Sequence, residues 1–226
     1  MRELTESIPK PMVKVCGKPI LQIIVEGLRE AGIEDLLIVV GYRKEVVQDY
    51  FQDGAGLGVR IQYMEQIVQD GTGRVVALAQ SFCGSDPFLL SYGDILVEPS
   101  YYPRLGDLKE AEMSIAVKRS TDVSKGGAVF LNDRFELIDL REKPKIGEAA
   151  TPWYNAGIYV FRASIFEYVV RLEKSPRGEY ELTDAIRAMS LAGKRVQAVE
   201  IIGDWADVRD PEVLARLNQQ NLESGS

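Results

Sequence analysis

Apolar positions recur at helical spacing over residues 19–31 (PILQIIVEGLREA), a segment closed by Gly32, and residues 35–40 (DLLIVV) follow as an almost uninterrupted apolar run. The first pattern predicts a helix with one buried face, and the second a strand covered on both faces, as in a parallel sheet. The alternation continues with a helix over 44–52, a strand over 59–64, a helix over 73–80 and a strand over 88–92 that ends at Gly93-Asp94. Strands alternating with helices predict an α/β fold with a doubly wound parallel sheet in this half.

The pattern changes near residue 112. Residues 113–118, 128–131, 135–141 and 154–161 read as strands with few helices between them, with Asn132-Asp133 as a hairpin turn. This half is expected to be mixed or antiparallel. Helices over 164–172 and 183–192, a returning strand over 196–202 and a closing helix over 211–221 complete it. With no internal repeat and no Pro/Gly-rich linker, residues 1–226 read as one domain with halves 1–112 and 113–222 and a disordered tail, 223–226.

Composition narrows the chemistry. The 226 residues are 46% hydrophobic, yet no apolar run approaches the roughly 20 residues of a membrane-spanning helix, and the start, MRELTES, has no apolar signal region. A cytoplasmic protein without membrane association is expected. The 27 Lys and Arg against 34 Asp and Glu leave a net charge of −7, which repels polyanions, so nucleic acid is not expected as a partner. Cys16 and Cys83 stand singly and are expected to be reduced core thiols. The absence of histidine removes Ser-His-Asp and Cys-His sites, His-ligated zinc and any histidine base, leaving carboxylates, lysines, arginines and hard metal ions. Oligomeric state has no signature in the sequence.

Asp94 stands at the carboxyl end of an apolar strand, where α/β sheets bind ligands, and can either ligate a divalent metal or punctuate a turn. In Gly203-Asp204-Trp205-Ala206-Asp207, Asp207 can face Asp94 or cap the helix near Pro211, a role that suits Asp210 better. Lys10 and Lys18 lie in Pro-bracketed turns suited to phosphate, or are solvated loop lysines. Gln66 at a strand end can read a base by paired hydrogen bonds; Gly71-Thr72-Gly73 forms a glycine loop or a simple helix entry.

The ordered set Leu4-Thr5, Pro9-Lys10-Pro11-Met12, Gly17-Lys18-Pro19-Ile20, Gln66, Gly71-Thr72, Gly93-Asp94, Glu142-Lys143-Pro144, Asn155-Ala156-Gly157 and Trp205-Ala206-Asp207 resembles the sugar-1-phosphate nucleotidylyltransferases over nearly the whole chain. The resemblance implies a Rossmann-like, doubly wound mixed sheet of the nucleotide-diphospho-sugar transferase type, with a nucleotide half and a sugar half. It implies attack of a sugar 1-phosphate on the α-phosphorus of a nucleoside triphosphate, with release of pyrophosphate. By matching position, Asp94 and Asp207 would hold Mg²⁺, Lys10 the nucleotide phosphates and Lys143 the sugar phosphate. Gln66, Gly71 and Thr72 would meet the nucleotide, with UTP or dTTP favoured; Gly127, Glu142 and Asn155 would line the sugar pocket, with Trp205 a weaker member. Thr183 would touch substrate or cap a helix. A non-catalytic sugar-nucleotide-binding protein is the alternative.

Members of that family begin with a short apolar strand and a G-x-G-T-R loop, whereas Met1-Arg2-Glu3 aligns just beyond them. The expectation is an N-terminally truncated, impaired chain lacking its first strand, with Met1 either an internal methionine of a longer active enzyme, which is favoured, or the start of a fragment that lacks activity. Without that loop the triphosphate would lose a backbone cradle.

Overall fold

The computed structural model describes residues 8–209 and 211–224, the side chains of 220–224 excepted. The strands are β1 (Lys14–Val15), β2 (Lys18–Pro19), β3 (Asp35–Val40), β4 (Arg60–Glu65), β5 (Phe88–Ser91), β6 (Ile95–Val97), β7 (Met113–Arg119), β8 (Gly127–Leu131), β9 (Leu137–Glu142), β10 (Trp153–Phe161), β11 (Val196–Glu200) and β12 (Trp205–Asp207). The helices are α1 (Ile20–Glu30), α2 (Lys44–Phe51), α3 (Thr72–Leu78), α4 (Gln80–Cys83), α5 (Tyr101–Gly106), α6 (Ile165–Val169), α7 (Leu182–Leu191) and α8 (Pro211–Ser224), and Lys10–Met12 forms one 3₁₀ turn. Contacts divide the chain into two units, one made of residues 1–67, 92–102 and 203–226, the other of 68–91 and 103–202. The chain therefore changes unit several times, whereas the sequence suggests a single change of character at residue 112.

In the first unit, α1 buries Ile20, Leu21, Ile24, Val25 and Leu28, the stripe that helical spacing predicts. It stops at Gly32, whose φ of 82° is costly for a residue with a Cβ, and the Ile33 N–H returns to the Leu28 carbonyl. Strand β3 follows, crosses through α2 and pairs in parallel with β4 from Asp35↔Arg60 to Val40↔Glu65. This is the βαβ unit that the alternating pattern predicts. Two antiparallel pairs, β1–β2 and β6–β12, complete the unit's strands among the described residues.

The second unit holds a six-stranded sheet in the order β11-β7-β10-β8-β9, with β5 also paired to β10. Only β11–β7 is parallel; the other pairs are antiparallel, so the sheet is mixed. Its centre is β10, WYNAGIYVF, in which every residue after Trp153 is buried. A register shift between Asn155 and Tyr159 falls at Gly157, φ 76°. The Asn132-Asp133 hairpin forms as predicted, with Asn132 Oδ1 accepting from the Arg134 and Glu136 N–H groups.

Several expectations are corrected. The strand at 88–92 is not a third parallel strand: β5 pairs antiparallel with β10, because β10's nine-residue run outlasts its β8 partner and leaves its C-terminal half open on that edge. Cys16 is exposed rather than a core thiol, because it occupies the two-residue turn between β1 and β2 at φ 50°; Cys83 is half-buried. The predicted tail is partly helical, since α8 runs to Ser224. Asp210, the expected cap of that helix, lies outside the described residues, as do Leu4 and Thr5.

Candidate functional site

The first unit brings Lys10, Asp94 and Asp207 together. Gly93 lies close against the Pro11 ring, where a Cβ would stand 3.2 Å from the ring and need it to give by a few tenths of an ångström. The missing side chain lets the Lys10–Met12 turn lie against the turn after β5, and the Lys10 ammonium donates to Asp94 Oδ2. Asp207 arrives from β12, where it is the register partner of Ile95, the residue after Asp94. The Val208 N–H donates to the Asp94 carbonyl at 2.9 Å, which fixes the two aspartates as neighbours through the backbone.

The Asp207 carboxylate is split in its contacts. Oδ2 accepts from the Arg209 guanidinium, and Oδ1 is buried with no hydrogen-bond partner. Burial pushes the Asp207 carboxyl above the usual aspartate range; Asp94's charge adds to this, while Arg209 and Lys10 oppose it. A buried carboxylate oxygen without a donor is costly unless something cationic or protic meets it. Two carboxylates, one with such an oxygen, fit Mg²⁺, which takes one or two protein carboxylates and completes its shell with water and phosphate oxygens. Among the described residues no third acidic, histidine or cysteine ligand joins them.

Gln66 follows β4 and donates its N–H to the Val40 carbonyl at 2.8 Å, extending the β3–β4 ladder with its side chain half-exposed. Trp205 pairs with Val97 at the start of β12. Lys18 is exposed and donates to Glu26 at 2.8 Å.

In the second unit, the Gly71-Thr72-Gly73 loop is sewn to the segment before α7. The Tyr180 N–H donates to the Asp70 carbonyl, the Gly73 N–H donates to the Tyr180 carbonyl (both 2.8 Å), and Thr72 Oγ1 accepts from the Leu182 N–H at 3.2 Å. Gly71 has φ 124° and ψ 162°, and a Cβ there would fall 2.5 Å from the Tyr180 nitrogen. Both facts demand glycine.

Glu142 and Gly127 are register partners across β9 and β8, and a Cβ at Gly127 would stand 2.9 Å from Asn155 Cβ. These three predicted sugar-pocket residues therefore come together. Asn155 is already engaged: its Nδ2 donates to the Tyr159 hydroxyl at 2.7 Å, and its Oδ1 accepts from the Gly157 N–H at 3.1 Å, bracing the irregular stretch of β10. Lys143, next to Glu142, is exposed at φ 41°, with its N–H on the Gly126 carbonyl at 2.7 Å.

Around Glu142 the structure adds residues that the sequence did not single out. Arg177 lies 3.6 Å from Glu142 Oε1 and 3.3 Å from Glu181 Oε1, and Glu181 is buried. Burial, then the Glu181 charge, pushes the Glu142 carboxyl above the usual glutamate range against the pull of Lys143 and Arg177. Thr183 is the second residue of α7 and caps nothing; its hydroxyl is buried without a partner of hydrogen-bond geometry, near enough to Glu142 to favour that carboxylate's charge. Residues 179–184 (EYELTD) carry no local pattern that places the Arg177–Glu181 ion pair.

Residues 1–224 match the family model described as nucleotidyl transferase. The bifunctional protein GlmU of Methanocaldococcus jannaschii is 35% identical over 223 residues, covering 99% of this chain and 52% of that protein. The low-salt glycan biosynthesis nucleotidyltransferase Agl11 of Haloferax volcanii is 31% identical over 229 residues, covering 100% of this chain and 64% of that protein. The chain thus spans about half to two thirds of the length of these relatives. Among solved structures, a UDP-glucose pyrophosphorylase complexed with UDP-glucose superposes with a TM-score of 0.86 at 25% identity, over 96% of this chain and 91% of the other.

Proposed function

Because this chain belongs to the nucleotidyl transferase family, we propose that it transfers a nucleotidyl group from a nucleoside triphosphate, UTP or dTTP, to a sugar 1-phosphate. A phosphate oxygen of the sugar phosphate attacks the α-phosphorus, the bond to the β-phosphate breaks, pyrophosphate leaves and an NDP-sugar forms. The nucleophile is already an anion, so no general base is needed, in keeping with a chain that has no histidine. The observation that carries this reading is the meeting of Lys10, Asp94 and Asp207, residues drawn from three distant stretches of sequence.

In this assignment Asp94 and Asp207 hold Mg²⁺, which when bound neutralises phosphate charge. Lys10 hands its ammonium to the triphosphate, and Gln66 reads the base; Trp205 borders the same unit's cluster. In the second unit, Lys143 holds the sugar phosphate and Glu142 accepts sugar hydroxyls beside Gly127 and Asn155, while Gly71 and Thr72 shape a nucleotide-contacting loop. The likenesses to the glycan-biosynthesis nucleotidyltransferase Agl11 and to a UDP-glucose pyrophosphorylase support sugar-nucleotide chemistry of this kind.

The test is a pyrophosphate-release screen of UTP, dTTP, GTP and ATP against sugar 1-phosphates, glucose 1-phosphate first, with Mg²⁺. Folded Asp94→Ala is expected to lose about 10²-fold or more in turnover, the scale of removing one charge-stabilising group. Unchanged turnover in that variant removes the carboxylate pair from the site. Binding of NDP-sugar with no pyrophosphate release from any pair replaces the enzyme reading with a binding protein.

A further inference from the structure

Among the described residues, two ion pairs meet at the β6–β12 pair: Asp94 with Lys10, and Asp207 with Arg209. Each carboxylate has its own cation, so these four side chains are together neutral before any ligand arrives. Arg209 is held close by its backbone, since its N–H donates to the Asp207 carbonyl at 2.9 Å while its guanidinium meets Oδ2 of the same residue. Oδ1 is thereby left as the oxygen without a partner.

We propose that Arg209 is a positioning and charge-balancing residue: it ties Asp207 Oδ2, presents Oδ1 to the divalent cation, and keeps the empty cluster neutral so that the cation is retained only together with the nucleotide's polyphosphate. The proposal rests on the metal-binding reading of Asp94 and Asp207 given above. Physically, a dication added to a neutral group leaves an excess of two positive charges, which Lys10 and Arg209 repel at short range in a partly desolvated site. A triphosphate cancels that excess. Without Arg209, one carboxylate charge is uncompensated and free to bind the cation alone.

Direct Mn²⁺ titration of the full chain, with free Mn²⁺ followed by electron paramagnetic resonance, tests this without turnover. Wild type is expected to bind Mn²⁺ weakly alone and tightly with α,β-methylene-UTP, whose α–β bridge cannot be cleaved. R209Q is expected to bind Mn²⁺ without nucleotide at least about 10-fold more tightly than wild type, as loss of one repelling charge at close range implies. R209K, which keeps the charge, is expected to stay as weak as wild type, and it reports even if glutamine at this position impairs folding.

If wild type takes up Mn²⁺ with the nucleotide but R209Q gains nothing without it, or R209K gains as much as R209Q, the role of Arg209 is overturned while the metal site stands. If no form takes up Mn²⁺ with the nucleotide, or D207N binds as wild type does, both the metal reading and this inference fail.

Discussion

The two units each hold a pair of carboxylates with an arginine beside them, and the arginine is used in opposite ways. In the first unit's pair, Asp94 and Asp207 each have their own cation, and the side chains of Lys10, Asp94 and Arg209 are a quarter to a third exposed. In the second, Glu142 and Glu181 share one guanidinium, Arg177, at 3.3–3.6 Å, and Arg177 is also drawn to Glu179 at 3.4 Å. The first cluster is neutral and reached through side chains; the second carries excess negative charge and is embedded in a sheet and a buttressed loop. A neutral, accessible group suits exchange of its cations for a metal and phosphates. An electron-rich, half-buried group suits accepting hydrogen bonds from neutral hydroxyls, where no counter-ion arrives.

The sharpest way to break the comparison is at the buttress, because it has no equivalent in the first cluster. Gly71→Ala puts a methyl into the Tyr180 backbone and strains a φ of 124°. A loss of about 3 kcal/mol is expected from overpacking plus strain, or about 6–12 °C in Tm for a chain of this size. Thermal unfolding followed by circular dichroism measures it. A loss below about 1 °C would mean that the loop is not locked to the Tyr180 segment.

How much of this was legible in the sequence depended on length and locality. α1, β3 and β4 are long periodic segments, and each lies within two residues of its expected bounds. The β6–β12 pair is three residues on each side, too short for any period to mark it, although it is what makes Asp207 a neighbour of Asp94. The sequence could therefore only offer Asp207 as either a partner of Asp94 or a helix cap. Glu142 was recognisable from its motif, but its electrostatics depend on Arg177 and Glu181, some 35 residues on, and no local pattern encodes an ion pair at that range. Cys16 is exposed although free thiols favour burial, because its positive-φ turn position overrides that preference. Of the two roles open to Thr183, the cap fails because α7 starts at Leu182 with Glu181 at its N-cap position, two residues earlier.

Arg177→Ala gives the next largest effect and sharpens the charge argument. It leaves Glu142 and buried Glu181 facing each other with their shared cation gone, at an expected cost of about 1–3 kcal/mol at pH 8. The sign with pH follows from repulsion between carboxylates: the penalty is full where both are ionised and shrinks as the pH falls and one takes a proton. Tm should therefore drop more at pH 8 than at pH 5. An equal drop at both would show that Arg177 contributes packing alone.

Glu142→Gln is the smallest effect and bears most directly on the contrast between the clusters. In the folded chain the Glu142 carboxyl is raised above its ordinary value by burial and by Glu181. The native state therefore holds this proton more tightly than the unfolded state, so stability falls as pH rises through the ordinary glutamate range up to the raised native value, and the penalty stays in full above it. Glutamine carries no charge at any pH and removes that penalty. At pH 8 the variant is expected to be more stable than wild type by about 2–4 °C, the shift that about 1 kcal/mol produces in a chain of this size. The gain should vanish by pH 4, where wild-type Glu142 is itself protonated. A variant less stable than wild type at pH 8 would show that the ion pair with Arg177 outweighs burial and repulsion, making the second cluster as cation-matched as the first.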